Sequence, residues 1–181
     1  GSKILERIKP IFAATNKRLQ VYVTERAGHA AELASQLDLS GCEGLCLIGG
    51  DGTIHEVING LMSRGSPNAV PLGLIPGGTG NTVLQHFGCS DPIEAAKRIV
   101  KGRTQLFDIA RVTTNSEVSY CANVIGWGAF ADINEIAESW RRLGPSRYSI
   151  AAIAYMASPK KRRAILTLDD EVIKGDFYLI A

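Results

Sequence analysis

Two apolar runs, each ending in a glycine-rich turn, constrain this chain more than any other feature. Leu45-Cys46-Leu47-Ile48 runs into Gly49-Gly50-Asp51-Gly52, and residues 71–75 run into Pro76-Gly77-Gly78-Thr79-Gly80-Asn81. A short, wholly apolar run bounded by glycine reads as a strand buried on both faces, as in a parallel sheet covered by helices. A helix follows each turn. After the first, Ile54, Val57, Ile58 and Leu61 form a buried stripe, with Thr53 and Glu56 read as a T-x-x-E capping box at its start.

The rest of the first half keeps the same alternation. Ile4, Leu5, Ile8, Ile11 and Phe12 recur with helical period, residues 19–24 alternate like a strand, and Ala30, Leu33, Ala34 and Leu37 share a helix face. Asp91-Pro92-Ile93-Glu94 is a helix start, with an N-cap, a proline at N1 and an acid at N3, and Gly102 closes that helix. Strand and helix in turn predict an α/β fold, a doubly wound, largely parallel sheet. Beyond it, residues 107–113 and 118–124 read as antiparallel strands, 132–143 as a polar helical stretch, and 164–168 and 177–180 as strands around Asp169-Asp170. The expected division is a nucleotide-binding domain over 3–108 and the beginning of a second, antiparallel β-rich domain over 109–181.

Composition narrows the function classes. With 20 basic and 18 acidic residues the net charge is +2, which gives no field that would recruit nucleic acid. The one basic run, residues 160–163, is read first as a solvated loop and second as a patch facing anionic lipid. Cys42, Cys46, Cys89 and Cys121 fit no zinc spacing; Cys46 and Cys121 read as small core residues, and a reducing compartment is expected. No apolar run approaches the ~20 residues that span a bilayer. The expectation is a cytoplasmic protein in transient contact with a membrane surface, its oligomeric state left open.

The glycine turns carry the chemistry. Glycine lets a backbone approach a ligand closely and leaves N–H groups for phosphate oxygens, and the following helix N-terminus adds positive potential. Asp51 sits at the carboxyl end of a parallel strand, where open α/β sheets bind ligands. An acid among phosphates is costly unless it holds Mg²⁺ or takes a proton. Alone, the tetrapeptide is as readily a tight turn; the second junction is what favours a polyphosphate cradle. Neither junction is a Walker sequence or a dinucleotide fingerprint.

Gly49-Gly50-Asp51-Gly52-Thr53 followed by His55-Glu56-Val57-Ile58-Asn59-Gly60-Leu61 resembles the signature of the diacylglycerol kinase catalytic domain. Pro76-Gly77-Gly78-Thr79-Gly80-Asn81 resembles its second glycine motif, and Thr24-Glu25-Arg26-Ala27-Gly28-His29-Ala30 its upstream strand-to-helix turn. Residues 126–132 and 141–148 are similar to the sphingosine and ceramide kinase branch. The likeness runs from residue 3 almost to the end and implies an NAD kinase/phosphofructokinase-like fold.

By this resemblance the chain is a lipid kinase using ATP and Mg²⁺ on a lipid substrate, with sphingoid base or ceramide ahead of diacylglycerol. Thr24, Glu25, Arg26, Ala27 and Gly28 would line the nucleotide site with Glu56 close by and His29 assisting. Gly49, Gly50, Gly52, Thr53, Gly78, Thr79, Gly80 and Asn81 would surround the phosphates. Asp51 would be the catalytic acid residue and the Mg²⁺ ligand, and Arg141 and Arg147 would neutralise the γ-phosphate. Read from spacing alone, those two arginines are an exposed polar helix face. Trp127, between two glycines, reads as packing at the domain junction, and His86 as surface.

Two departures from the family pattern bear on this. Asn134 stands where sphingosine kinases carry an aspartate that meets the lipid headgroup, leaving Asp132 or Glu135 to supply the charge. The chain also begins after the family's first strand and Asn-Pro-x-Ser-Gly turn and ends before the second domain closes, which implies weak ATP binding and an inactive piece. An NAD kinase-like enzyme, sharing Gly-Gly-Asp-Gly, and a non-catalytic nucleotide-binding module are the rival readings.

Overall fold

The computed structural model describes residues 1–65, 70–78 and 81–181, and only the backbone of Arg141, Arg142 and Pro145. Two compact units make up the chain, Gly1–Asn123 and Val124–Ala181.

In the first unit, α1 (Ser2–Ala13) and α2 (His29–Gln36) precede β1 (Leu45–Gly49), α3 (Asp51–Met62), β2 (Leu72–Pro76), α4 (Thr82–His86), α5 (Pro92–Val100) and a hairpin of β3 (Ala110–Thr114) and β4 (Glu117–Cys121). Strands β1 and β2 pair in parallel, Leu47 opposite Leu74 and Ile48 opposite Ile75. The two-residue period of a strand explains the layering. Leu45, Leu47, Leu72 and Leu74 turn to one face and pack with Ala30, Ala34, Ile54, Val57 and Ile58 of α2 and α3. Ile48 and Ile75 turn to the other and pack with Ile8, Phe12, Ala95 and Ala96 of α1 and α5. Ile8, Ile54 and Ile75 are the largest fully buried side chains, each contributing about 1.5–3 kcal/mol by burial.

Local chemistry sets several element ends. The Asp91 carboxylate accepts from Glu94 N–H at 2.8 Å, and Gly102, at φ +68°, closes α5 through its N–H on the Ile99 carbonyl. The expected capping box at α3 does not form. The helix begins at Asp51 behind Gly50, with no side-chain cap, so Thr53 lies inside the first turn and Glu56 points elsewhere. Residues 19–24 form no strand and join no ladder among the described residues, and Val21, Tyr22 and Val23 are exposed. Alternation there signals a strand-like backbone, yet a strand needs a partner for its backbone groups. Cys46 is exposed, its sulfur lying over the bare backbone of Gly73, while Cys121 is half-buried and Cys89 is buried.

The second unit mixes helices with antiparallel strand pairs: β5 (Trp127–Gly128), α6 (Ala129–Ser139), a 3₁₀ stretch (Arg141–Ser146), α7 (Arg147–Met156), β6 (Arg162–Leu168), β7 (Glu171–Phe177) and β8 (Leu179–Ile180). Strand β5 pairs with β8 and β6 with β7. Helix α7 and most of β7 were not expected. The segment Ile150-Ala151-Ala152-Ile153-Ala154-Tyr155-Met156 is apolar almost all round and so shows little period, and Asp170 is followed by strand at once. Trp127 is exposed.

Candidate nucleotide and phosphate site

The carboxyl ends of β1 and β2 meet. Gly77 N–H donates to the Gly49 carbonyl at 2.9 Å, joining the two glycine turns directly. Gly77 is required by that approach, and Gly49 by the Thr53 side chain of the helix that follows. A Cβ at Gly77 would stand 2.9 Å from Ile48 Cγ2 and 3.1 Å from Gly49 N, and one at Gly49 would meet the Thr53 side chain at 2.5–2.9 Å. Beside Gly52 a Cβ would meet nothing within 4 Å, so the backbone there faces open space.

Asp51 spans the junction. Its Oδ2 accepts from Thr82 N–H at 3.0 Å and its Oδ1 from Val83 N–H at 3.1 Å. The first acid of α3 therefore caps α4, thirty-one and thirty-two residues away, and satisfies two of the free N–H groups at that helix start. Asn81, just before α4, donates from Nδ2 to the Gly78 carbonyl at 3.0 Å, while its Oδ1 is buried with no hydrogen-bond partner among the described residues. Thr79 and Gly80 lie outside the described residues.

The upstream turn is fastened to the same unit through Glu56. Its Oε2 accepts from Ala30 N–H at 3.2 Å, at the start of α2, where Gly28 occupies the N-cap at φ +82° and has no side chain to offer. His29 Nδ1 accepts from Glu25 N–H at 3.1 Å, and Arg26 pairs with Glu32 at 2.6 Å, holding that carboxyl below the usual range. Thr24 and Ala27 are exposed beside them. Of the residues expected at the nucleotide, Glu25, Arg26 and Glu56 are thus bonded to α2, Asp51 to the start of α4, and Asn81 to Gly78. Asn59 was not expected to matter. Its amide donates to the Tyr120 carbonyl and accepts from Tyr120 N–H, both at 2.8 Å, seating the β3–β4 hairpin on α3.

The remaining candidates lie in the second unit. Arg147 donates from Nη2 to Glu138 at 3.0 Å and to the Tyr148 hydroxyl at 3.0 Å, and its guanidinium lies 4.8 Å from the Tyr148 ring centre. Its Nε is buried with no hydrogen-bond partner among the described residues. The side chain of Arg141 lies outside them. Asp132 is held by Arg162 through two bonds of 2.8 Å, and those bonds keep its carboxyl below the usual range. Asn134 and Glu135 are exposed on α6. Nothing in the spacing of the sequence announces the Asp132–Arg162 pair, which closes across thirty residues.

Oxygen donors dominate the glycine-turn edge: one carboxylate, a buried amide oxygen and carbonyls. No group of three or more His, Cys, Asp and Glu able to hold a metal occurs among the described residues. A donor set of this kind fits Mg²⁺, which keeps waters and takes phosphate oxygens beside one or two carboxylates.

Residues 1–112 match the diacylglycerol kinase catalytic domain. The chain belongs to that family. Over 163 residues it is 37% identical to Sphingoid long-chain bases kinase 1 of Arabidopsis thaliana, covering 84% of this chain and 21% of that protein. Over 171 residues it is 29% identical to ceramide kinase of Homo sapiens, covering 84% of this chain and 32% of that one. A diacylglycerol kinase from Bacillus anthracis str. Sterne superposes with a TM-score of 0.76 at 26% identity, covering 98% of this chain and 57% of its own length. The chain therefore spans a fifth to a third of these two curated relatives.

Proposed function

We propose that the protein is an ATP-dependent lipid kinase, moving the γ-phosphate to the hydroxyl of a sphingoid base or ceramide in preference to diacylglycerol. The join between the two glycine turns carries this reading. Gly77 bonded to Gly49, with Asp51 reaching across to α4, supports one polyphosphate cradle built from two strand ends. In the reaction the lipid hydroxyl oxygen bonds to the γ-phosphorus, the bond to the bridging oxygen breaks, and ADP leaves. Asp51 takes the hydroxyl proton or holds Mg²⁺ through the lone pairs that Thr82 and Val83 leave open. Residues 24–28, Gly50, Gly52, Thr53, Glu56 and Gly78–Asn81 bind nucleotide, and Arg141 and Arg147 offset phosphoryl charge. Phosphoryl transfer is mostly positioning and charge stabilisation, which such groups provide. Bound Mg²⁺ would add neutralisation of the phosphate oxygens.

The same proposal divides the chain into a doubly wound nucleotide domain over 3–108 and a β-rich lipid-binding domain from 109. In the second unit an apolar hollow of about 420 Å³, with Ala129, Ile133, Tyr155 and Leu179 among its walls, suits an acyl chain. No helix among the described residues is long and apolar enough to cross a membrane. We place the protein in the cytoplasm, in transient contact with anionic lipid surface through α7, where Ile153 and Met156 are 70% and 74% exposed beside Lys160 and Lys161. Loss of vesicle co-sedimentation in Ile153→Glu is the expected result; unchanged binding removes α7 from that role.

One observation favours a second reading, a non-catalytic nucleotide-binding module: each oxygen of Asp51 already accepts a backbone N–H. Labelled ATP offered to the full-length protein with sphingosine, ceramide, diacylglycerol and NAD separates the readings. A labelled lipid supports the kinase, label on NAD the rival enzyme, and nucleotide binding without product the module.

A further inference from the structure

Two residues of helix α3 and one just beyond its end meet α2 at four-residue spacing. Glu56 accepts from Ala30 N–H at 3.2 Å. Gly60 stands where a Cβ would lie 2.2 Å from the Ala31 carbonyl oxygen and 2.8 Å from Ala34 Cβ. Arg64, just past the helix, donates from Nη1 to the Ala34 carbonyl at 2.8 Å. A carboxylate thus meets the positive end of α2 and a guanidinium its negative end, each matching the helix dipole, with bare backbone between them.

Helix α2 needs this outside help. It has eight residues, neither end has a side-chain cap of its own, and so short a helix is marginal alone. The turn before it is tied to it through Glu25 to His29 and Arg26 to Glu32. Wherever α2 is held, residues 24–28 are held too. Helix α3 in turn starts inside the first glycine turn, so whatever fixes α2 on α3 fixes one side of the proposed nucleotide site against the other.

We propose that Glu56, Gly60 and Arg64 form a clamp through which α3 positions the 24–28 turn, and that Arg64 is a positioning residue for nucleotide binding. The proposal rests on the reading of 24–28 as part of the nucleotide site. Arg64 bonds to the Ala34 carbonyl, at the end of α2 away from that turn, so it reaches the turn through α2.

The test measures Kd for Mg²⁺-ATP, and KM for ATP against kcat, on the full-length protein carrying Arg64→Ala, Arg64→Lys, Glu56→Gln or Glu56→Ala. Arg64→Ala is expected to raise Kd and KM about 3- to 10-fold with kcat at saturating nucleotide within about twofold. Arg64→Lys, which can still donate to the Ala34 carbonyl, should recover part of the loss. Amide exchange at Ala30 should stay slow in Glu56→Gln, whose amide oxygen accepts the same N–H, and speed up in Glu56→Ala. Unchanged nucleotide affinity in a folded Arg64→Ala protein overturns the proposal, leaving Arg64 a stability residue. Equally fast exchange at Ala30 in Glu56→Gln and Glu56→Ala overturns the capping role of Glu56. If wild type binds no ATP, the reading of the site fails instead, and amide exchange then decides on the clamp. Faster exchange at residues 25–30 in Arg64→Ala upholds it, and unchanged exchange overturns it.

Discussion

The first unit buries isoleucines, a phenylalanine, valines and alanines on both sides of its parallel strand pair, in two clusters. The second buries three alanines and Tyr155, and leaves Ile153, Met156, Ile165 and Leu168 at least half exposed. The polar networks differ in the same direction. In the first unit, side chains bond to backbone groups across long stretches of sequence, as Asp51, Glu56, Asn59 and Arg64 do. In the second, the long-range side-chain bonds among the described residues are ion pairs, Asp132 with Arg162 and Arg163 with Asp176. Side chain to backbone bonding fixes where a loop runs, because the backbone itself is held. Ion pairs fix where charges point and leave the backbone freer. The contrast suits a rigid cradle for a polyphosphate and a more adaptable surface for a lipid.

Core truncation gives the largest expected separation. Ile54→Ala, at 2% exposure, should cost about 2–5 kcal/mol in denaturant unfolding. Ile153→Ala, at 70% exposure, should stay within about 0.5 kcal/mol. A large cost at Ile153 would mean that further structure covers α7 in the full-length protein and would erase the contrast.

Asp51→Asn comes next. Turnover should fall about 10²-fold or more from loss of the carboxylate. Asparagine also keeps one acceptor and turns an N–H₂ toward either Thr82 or Val83, so stability should drop by about 1–3 kcal/mol. ATP affinity should weaken with it, because α4 is no longer latched. Turnover lost with stability and affinity intact would show that the latch is dispensable.

A smaller effect is expected at the lipid. Asp132 already answers Arg162, so its charge is not available to a sphingoid ammonium. Asn134→Asp should therefore raise kcat/KM for a sphingoid base relative to ceramide by about tenfold. An unchanged ratio assigns headgroup reading to another residue, with Glu135 the next to test.

The smallest effect is a pH dependence. Arg162 holds Asp132 below the ordinary aspartate value of 3.8. A carboxyl depressed in the folded state stabilises fully above its unfolded value and loses that contribution as pH falls through the folded one. The stability gap between wild type and Asp132→Asn should be constant near neutrality and shrink below pH 3.8. A constant gap throughout means that the pair adds no pH-linked stability.

The sequence was most legible where local and tertiary demands agree. Leu45–Gly49 and Leu72–Pro76 read as buried strands because both faces are apolar, and Asp91 read as a cap because its partner is three residues away. It misled where a local pattern was put to distant use. Thr53 and Glu56 have capping-box spacing, yet Glu56 caps another helix. Residues 19–24 alternate like a strand but find no described partner. Asp51 could be singled out from its glycines, but its reach to α4 could not, since no spacing rule spans thirty residues. Arg64, eight residues beyond Glu56 and past the end of α3, was not read from the sequence at all, because its partner on α2 is thirty residues away.

The Asn59 amide has one more consequence. Tyr120 is on the outward-facing backbone of a two-stranded hairpin, the kind of open rim on which a second copy could add a strand. Asn59 occupies both the N–H and the carbonyl of Tyr120, as a neighbouring strand would. One side chain of α3 thus satisfies the two backbone groups that Tyr120 would otherwise offer to another strand.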